Sequence, residues 1–179
     1  SIFLAASVII CALVSLATGS SWSTVATIGV ALLGIGNALG FSPGIVAGAI
    51  ISGAYFGDKM SPLSDTTNLA PAMAGTDLFT HIRYMVITTG PSILLTLIIF
   101  FILGFTYDYS GGEANVKSTL MAIEQSFNIT PWLFLVPVIL ITVIIKKMPP
   151  LPSIMIGTLL GGLFAIIFQP HVVEQVANI

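Results

Sequence analysis

No Asp, Glu, Lys, Arg or His occurs among the first 57 residues of the chain. A soluble domain carries charge on about a quarter of its residues, whereas this chain has 5 basic and 7 acidic residues in 179 positions. A water-facing surface cannot be built from such a composition, because too few groups remain to be solvated. The sequence therefore predicts a membrane protein.

The scarcity of charge also excludes other classes of function. Five Lys and Arg residues cannot neutralise enough phosphates for nucleic-acid binding. The single cysteine, Cys11, permits neither an internal disulfide nor a cysteine-based metal site. The chain begins at Ser1 inside a hydrophobic run, without an initiator Met or a basic leader, so we expect an internal part of a larger protein rather than a signal peptide.

Three charge-free runs are long enough to cross a bilayer. A hydrocarbon core about 30 Å thick requires about 20 helical residues, and the runs 84–107, 125–145 and 148–170 contain 24, 21 and 23 residues. Their continuous apolar character, without the alternation of barrel strands, indicates helices. We predict three transmembrane helices: about 86–105, 130–145 and 152–168.

The first 83 residues differ from the rest, because clusters of small and polar residues interrupt their apolar stretches. One cluster, 18–24, is rich in Ser and Thr, and the other, 58–68, holds two Asp, one Lys and one Pro. Non-helical backbone at membrane depth is tolerated only where it is buried in protein or lines a watery cavity. We predict that 58–68 is largely non-helical and lies inside the protein near 18–24, as in the broken helices of secondary transporters.

The predicted fold class is an all-α polytopic membrane protein with broken or re-entrant segments, represented here by a partial chain. Residues 1–179 form one predicted transport domain, with broken helices and an ion site in 1–83 and three transmembrane helices with their loops in 84–179. A short interfacial helix is predicted at 116–127. The pattern leaves open whether 1–39 is a re-entrant hairpin or a broken transmembrane helix.

Basic residues in short loops predict the orientation, because cytoplasmic loops carry an excess of Lys and Arg. Lys146 and Lys147 lie between the last two predicted helices, and Arg83 precedes the first. We therefore place these loops on the cytoplasmic side and the acidic loop around Glu113 outside. Asp77 is expected to cap a helix that begins just after it.

Asp58 and Asp65 are the residues that most strongly indicate a function. A carboxylate inside a membrane protein is costly unless it is paired or hydrated, so it marks a candidate site. Lys59 adjoins Asp58 in the chain and is the candidate counter-ion. The alternative is an ordinary turn with solvated charges, although a turn needs neither two carboxylates nor the oxygen-rich residues around Asp65.

The neighbours of Asp65 suit a small, hard cation. Such an ion prefers several oxygen ligands from carboxylate, hydroxyl, amide and carbonyl groups. Four residues beside Asp65 carry them: Ser64, Thr66, Thr67 and Asn68. A carboxylate that is partly removed from water also holds a proton more readily. We hypothesise a site centred on Asp65 at which Na⁺ and H⁺ compete.

The earlier cluster offers further oxygen atoms through Thr18, Ser20 and Ser21. The alternative is structural, because Ser and Thr in membrane helices commonly bond back to their own helix or join neighbouring helices. The small-residue pattern at Gly53 and Gly57 predicts close packing of two helices and carries no chemistry.

Two strings in this region, TGSSWST at 18–24 and GDKMSPLSDTTNLAP at 57–71, closely resemble the NhaC-type sodium/proton antiporter family. The resemblance implies a multi-pass exchanger of the cytoplasmic (inner) membrane with inverted repeats, of which this chain is less than half. Asp58 and Asp65 match the motif's acids, and residues 66–68 match its polar tail. The implied partners are the lipid bilayer, Na⁺, H⁺ and the rest of the transporter chain, with a homodimer possible and no cofactor.

Other functions stay open beside Na⁺/H⁺ exchange. The same family includes exchangers of the malate/lactate type, coupled to H⁺ or Na⁺. A passive channel would show ion flux without stoichiometric proton movement. Intramembrane aspartyl proteases also use two aspartates, but they need a Gly-x-Gly-Asp element, and here Tyr55 stands where the first Gly should be. We therefore predict a transporter and not an enzyme.

Overall fold

The structure is a computed structural model that describes residues 2–106, 121, 128, 130–146 and 148–177. These residues fall into two compact units, within 1–115 and within 116–179. The first unit contains α1 (Phe3–Thr18), α2 (Ser21–Thr24), a π-helical turn (Val25–Gly29), α3 (Val30–Ala38), α4 (Pro43–Met60), α5 (Asp65–Ala74) and α6 (Leu78–Thr106). The second contains a 3-10 turn (Pro131–Phe134), α7 (Leu135–Ile145), α8 (Pro150–Phe168) and α9 (Pro170–Ala177).

The predicted all-α membrane class is confirmed, since the described residues contain no strand and several long apolar helices. Helices α6 and α8 contain the predicted spans 86–105 and 152–168. The 3-10 turn together with α7 covers nearly all of the remaining predicted span, 130–145. Within the part of the chain that the structure describes, three helical stretches are long and apolar enough to cross a membrane: Ser21–Ala38, Leu78–Thr106 and Leu151–Phe168. The start of α6 follows the predicted cap, because Asp77 Oδ2 accepts a hydrogen bond from Thr80 N at 3.0 Å.

Helices α1 and α4 lie side by side and run in the same direction. A side chain on Gly53 would collide with the backbone of Val8, and one on Gly57 would collide with the backbone of Ala12. Each of these pairs is separated by 45 positions in the chain, which is the register of two parallel helices. The small-residue prediction is confirmed, because only glycine permits so close an approach of two backbones.

Helices α2 and α3 form one continuous stretch that runs antiparallel to α4. Ser21 contacts Asp58, whereas Gly29, which comes later in its stretch, packs against Ile50, which comes earlier in α4. The chain therefore reverses direction after α1, at Gly19, whose φ of 70° is the left-handed conformation that glycine adopts without strain. Residues 3–38 are thus a helical hairpin, and its second arm, Ser21–Ala38, is long and apolar enough to cross a membrane.

A hydrophobic core lies between this hairpin and α4. Its buried members are Leu4, Val8, Cys11, Leu32, Phe41, Val46, Ala49, Ile50 and Ala54. Helix α6 crosses the outside of the group antiparallel to α4, since Gly48 contacts Phe100 while the later residues of α4 face the earlier residues of α6.

The prediction that 58–68 is largely non-helical is wrong in extent. Helix α4 continues through Met60 and α5 begins at Asp65, so only 61–64 lies outside a helix. Polar residues at a helix end are compatible with helical backbone when the adjoining break supplies partners for their side chains. The predicted interfacial helix at 116–127, Glu113 and Lys147 lie outside the described residues, apart from Met121.

In the second unit, α7 and α8 pack as a pair. Gly157 lies against Leu140, where a Cβ on the glycine would come within 2.8 Å of the leucine side chain. Gln169, after α8, exchanges two hydrogen bonds with the backbone of Asn128, at 2.8 and 3.0 Å.

Candidate ion site

The two breaks in the helices touch each other. Gly19, at the tip of the hairpin, approaches the link 61–64 so closely that a Cβ would lie 2.6 Å from the carbonyl carbon of Leu63. Ser61 Oγ donates a hydrogen bond to the carbonyl oxygen of Leu16 at 2.7 Å. The predicted proximity of the two polar clusters is therefore confirmed.

Asp58 lies where these two breaks meet. Its Oδ2 accepts a hydrogen bond of 2.8 Å from the hydroxyl of Ser21, a side chain that is 2% exposed. Its Oδ1 is buried and has no hydrogen-bond partner among the residues that the structure describes. A buried carboxylate oxygen without a partner is costly. A bound proton or a bound cation would satisfy such an atom.

The surrounding backbone favours a cation next to the Asp58 carboxylate. Helices α1 and α4 are parallel and end close together, as the contact of Leu16 with Ser61 shows. The last carbonyl groups of a helix carry partial negative charge, and they stabilise a nearby cation. In secondary transporters, such helix ends and unwound carbonyl groups coordinate the transported Na⁺ or H⁺.

Asp65 has a different environment from Asp58. It is exposed in the first turn of α5, where its Oδ1 accepts a hydrogen bond from the backbone N–H of Thr66 at 2.7 Å. The hydroxyl groups of Ser64 and Thr66 lie 3.0 Å apart. No contact within the described part of the chain joins Asp65 to Asp58.

Thr67 and Asn68 tie α5 to the end of α4. The Thr67 hydroxyl lies 3.2 Å from the carbonyl oxygen of Asp58, to which it donates, and 3.3 Å from that of Lys59. Asn68 Nδ2 donates to the carbonyl oxygens of Pro62 and Ser64, each at 2.7 Å. These bonds fix the shape of the link, so the structure gives both side chains a positioning role.

Lys59 points away from Asp58. Successive helix residues are rotated by about 100° and do not face one another, and Lys59 lies in a groove between α4 and α6. The described contacts contain no ion pair between these two residues. The remaining lining residues of the groove are Ser52, Tyr55, Phe56, Thr89, Ser92, Ile93 and Thr96.

The earlier polar cluster reaches the site mainly through Ser21. Ser20 caps α2, its Oγ accepting a hydrogen bond from Ser23 N at 3.2 Å. Thr18 lies 3.5 Å from the hydroxyl of Thr24, which itself donates to the carbonyl oxygen of Ser20. Ser61 is not among the site residues predicted from the sequence, although it lies within the predicted polar cluster 58–68.

A broken-helix hairpin that meets a second interrupted helix at a buried carboxylate oxygen defines a polytopic membrane protein of the secondary-transporter class. Residues 53–179 match the sequence profile of the Na⁺/H⁺ antiporter family. The chain belongs to this family.

Several curated proteins to which the chain is similar are named as antiporters. The chain is 43% identical over 170 residues to the malate-2H(+)/Na(+)-lactate antiporter of Bacillus subtilis, a match that covers 94% of the chain and 36% of that protein. It is 43% identical over 167 residues to the Na(+)/H(+) antiporter NhaC of Alkalihalophilus pseudofirmus, covering 93% and 36%.

A more distant relative is the arginine/ornithine antiporter ArcD of Halobacterium salinarum, 36% identical over 87% of the chain and 33% of that protein. The chain thus spans about a third of the length of these relatives. No solved structure matches it. The NhaC relatives and the profile confirm the resemblance seen in the motif, and the relatives are named as transporters rather than enzymes.

Proposed function

We propose that the chain forms the ion-binding part of a secondary antiporter that exchanges Na⁺ for H⁺ across the cytoplasmic membrane. The observation that carries this proposal is the Asp58 carboxylate, with one oxygen bonded to Ser21 and the other buried without a partner among the described residues. Na⁺/H⁺ exchange is the activity named for two of the relatives.

The depth of Asp58 along the helices supports an intramembrane site. Helix α6 has 29 residues and is about 43 Å long at 1.5 Å per residue. Thr89, which shares a groove with the end of α4, lies about 17 Å from the start of α6 by the same rise. The breaks therefore lie well inside the length of a helix that exceeds the bilayer core of about 30 Å.

The mechanism needs only one carboxylate in two states. With a proton on Asp58, the buried oxygen is neutral and the site needs no cation. With the proton released, the carboxylate and nearby carbonyl groups bind one Na⁺, and the charge is again balanced. H⁺ and Na⁺ cannot occupy Asp58 at the same time. Exposing the loaded site alternately to the two sides of the membrane therefore exchanges one ion for the other.

We choose Asp58 over Asp65 for this shared carboxylate on the basis of burial. An exposed carboxylate, such as Asp65, remains hydrated and has little need of a bound ion. The predicted cluster around Asp65 stays a second candidate site for Na⁺, on the pathway between solvent and Asp58.

Exchange of carboxylate substrates is the second candidate function. It is favoured by the relative named as a malate/lactate antiporter, which is as similar to the chain as the NhaC relative is. Lys59 in its hydroxyl-lined groove is the structural feature that fits an anionic substrate.

The test is Na⁺ half-saturation measured against pH, with the full-length protein reconstituted in proteoliposomes. If one carboxylate binds either ion, acidification weakens Na⁺ binding by up to about tenfold per pH unit, equivalent to about 1.4 kcal/mol. Asp58→Asn keeps the size but not the charge and should abolish exchange. Asp65→Asn is the matched variant and should retain pH-dependent exchange with altered Na⁺ half-saturation.

Two results would contradict this assignment. Wild-type half-saturation that is constant from about pH 6 to 9 would exclude proton competition, because such competition requires a dependence on pH. Normal exchange by Asp58→Asn would exclude Asp58, and loss of exchange in Asp65→Asn alone would transfer the role to Asp65.

A further inference from the structure

We propose that the π-helical turn Val25–Gly29 is a register switch that determines whether Ser21 or Trp22 faces Asp58. The inference rests on the proposed function, because it assigns the movement that gives ions access to the Asp58 site. The turn lies in the second arm of the hairpin, between α2, which carries Ser21, and α3. π-helical turns are rare in proteins, and they often occur at functional sites.

The buried positions of the second arm change register at this turn. Three buried residues in its later part follow the regular spacing of one helix face: Gly29, Leu32 and Gly36. Continued backwards at the same spacing, this face would include Val25 and Trp22. The buried residues are instead Thr24 and Ser21, each one position earlier in the chain. The residues before the turn are therefore rotated relative to a regular helix.

One extra residue in the π-helical turn accounts for this rotation. A π-helix bonds each N–H to the carbonyl group five positions back instead of four, so the turn takes up one more residue. Each residue of a regular helix rotates the chain by about 100°. If the turn became regular, α2 would rotate by about 100° against α3. Trp22 would then take the direction that Ser21 has in the structure.

The helices on the two sides of the turn are held differently. Helix α3 is fixed on α4, because Gly29 and Gly36 pack so closely that an added Cβ would lie 2.8 and 2.7 Å from side chains of α4. Helix α2 has only four residues and begins just after Gly19, whose left-handed backbone ends α1. Irregular backbone therefore lies on both sides of α2, so this short helix is the part that can rotate.

Rotation of α2 would uncover Asp58. In the structure Ser21 is 2% exposed, and its hydroxyl donates to Asp58 Oδ2 at 2.8 Å. The Trp22 side chain is 79% exposed and is much too large for the space that Ser21 fills. A rotation that turns Trp22 towards Asp58 therefore breaks the bond to Ser21. It also pushes α2 away from the end of α4, which opens a path to the carboxylate.

Thr24→Cys in the full-length protein, reconstituted in proteoliposomes, reports the register without any measurement of transport. Thr24 is 1% exposed, so the thiol should react slowly with a maleimide until α2 rotates. Ser21→Ala removes the bond that holds α2. Because a hydrogen bond to a charged group is a strong one, labelling of Thr24→Cys should then become about tenfold faster or more. Cys11 is buried and should not react.

Deletion of Ala26 is the decisive variant. Ala26 is exposed within the turn, and its removal lets the second arm form one regular helix with Ser21 and Thr24 still directed at α4. Only one register then remains. We expect folded protein at the wild-type level and slow labelling of Thr24→Cys even in combination with Ser21→Ala. Na⁺/H⁺ exchange should fall about tenfold or more, because opening of the site limits transport.

Deletion of Ala31 is the matched control. Ala31 is also exposed, but it lies in the regular helix α3. Its removal brings Ile28 to the place of Gly29, where even a Cβ would lie 2.8 Å from the Ile50 side chain. The amount of folded protein should therefore fall sharply. Equal amounts of folded protein from the two deletions would overturn the inference.

Three further results would overturn the inference. They are unchanged labelling of Thr24→Cys in the Ser21→Ala protein, fast labelling that persists after deletion of Ala26, and wild-type exchange by the Ala26 deletion. A failure of the proposed function looks different. If wild-type protein shows no Na⁺-driven proton movement while labelling follows the register as expected, the switch stands and Na⁺/H⁺ exchange fails. If exchange is present and lost in Asp58→Asn but normal after deletion of Ala26, only the switch is refuted.

Discussion

Helices α1 and α4 differ sharply from helix α6, although all three belong to the first unit. Seven of the 16 residues of α1 and seven of the 18 of α4 are buried. In α6, with 29 residues, Gly104 is the one buried residue. The paired helices hold each other through small residues, and α6 presents large apolar side chains to its surroundings.

The difference separates two demands on a transporter. If Asp58 binds the ion as we propose, the end of α4 has to hold its carboxylate in a fixed position, and close backbone packing gives that rigidity. A helix in contact with lipid needs only apolar surface of sufficient length. The tightly packed helices are therefore the part of the chain where single substitutions should have the largest effects.

Gly57→Ala should have the largest effect of the variants that test this comparison. The added Cβ would meet the backbone oxygen of Ala12 and the nitrogen of Leu16, the latter at 2.7 Å, so the two helices must separate. We expect destabilisation of about 1–3 kcal/mol or more and a strong loss of folded protein in the membrane. The measurement is the amount and thermal stability of the full-length protein in detergent.

Gly34→Ala is the matched control, because Gly34 is also helical but has no atom within 4 Å of the added Cβ. It should be neutral or stabilising by about 0.5–1 kcal/mol, since alanine favours a helix over glycine. Equal behaviour of the two variants would contradict the close packing of α1 and α4.

The sequence was most informative about long helices and least informative about contacts between distant residues. The apolar run of α6 follows directly from composition, and Asp77 indicates where it begins. The bond between Ser21 and Asp58 joins residues 37 positions apart. No periodicity predicts it, because it depends on the reversal of the chain at Gly19.

The length of the second break was overestimated for a related reason. Composition shows that 58–68 is polar, but a polar run can end one helix and begin another. Asp65 in the first turn of α5 is a favourable helix start. The separation of Lys59 from Asp58 was predictable, since adjacent residues of one helix face different directions.

Ser21→Ala should have an intermediate effect, confined to the ion site. Its hydroxyl donates to the charged form of Asp58, and a hydrogen bond to a charged group contributes about 1.5–3 kcal/mol. Without that donor the charged form that binds Na⁺ is less stable, so Na⁺ half-saturation should rise about tenfold or more.

Thr27→Ala is the control for this variant, because the Thr27 hydroxyl donates to the carbonyl oxygen of Ser23 in its own helix and is exposed. It should leave Na⁺ half-saturation unchanged within about twofold, since the energy of such a surface bond is small. If Ser21→Ala behaves like Thr27→Ala, Asp58 does not rely on Ser21 for ion binding.

Leu95→Ala should have the smallest effect. Leu95 lies on α6 and is 60% exposed, whereas Leu4 in α1 is fully buried at 0% exposure. Shortening a buried leucine costs about 2–5 kcal/mol because it leaves a cavity, but a side chain in contact with lipid leaves none, since lipid or detergent fills the space. We expect Leu95→Ala to change the free energy of unfolding in detergent by less than about 0.5 kcal/mol, against the larger loss in Leu4→Ala. A loss in Leu95→Ala as large as that in Leu4→Ala would mean that this face of α6 packs against protein in the assembled transporter, and the contrast between the two regions would no longer hold.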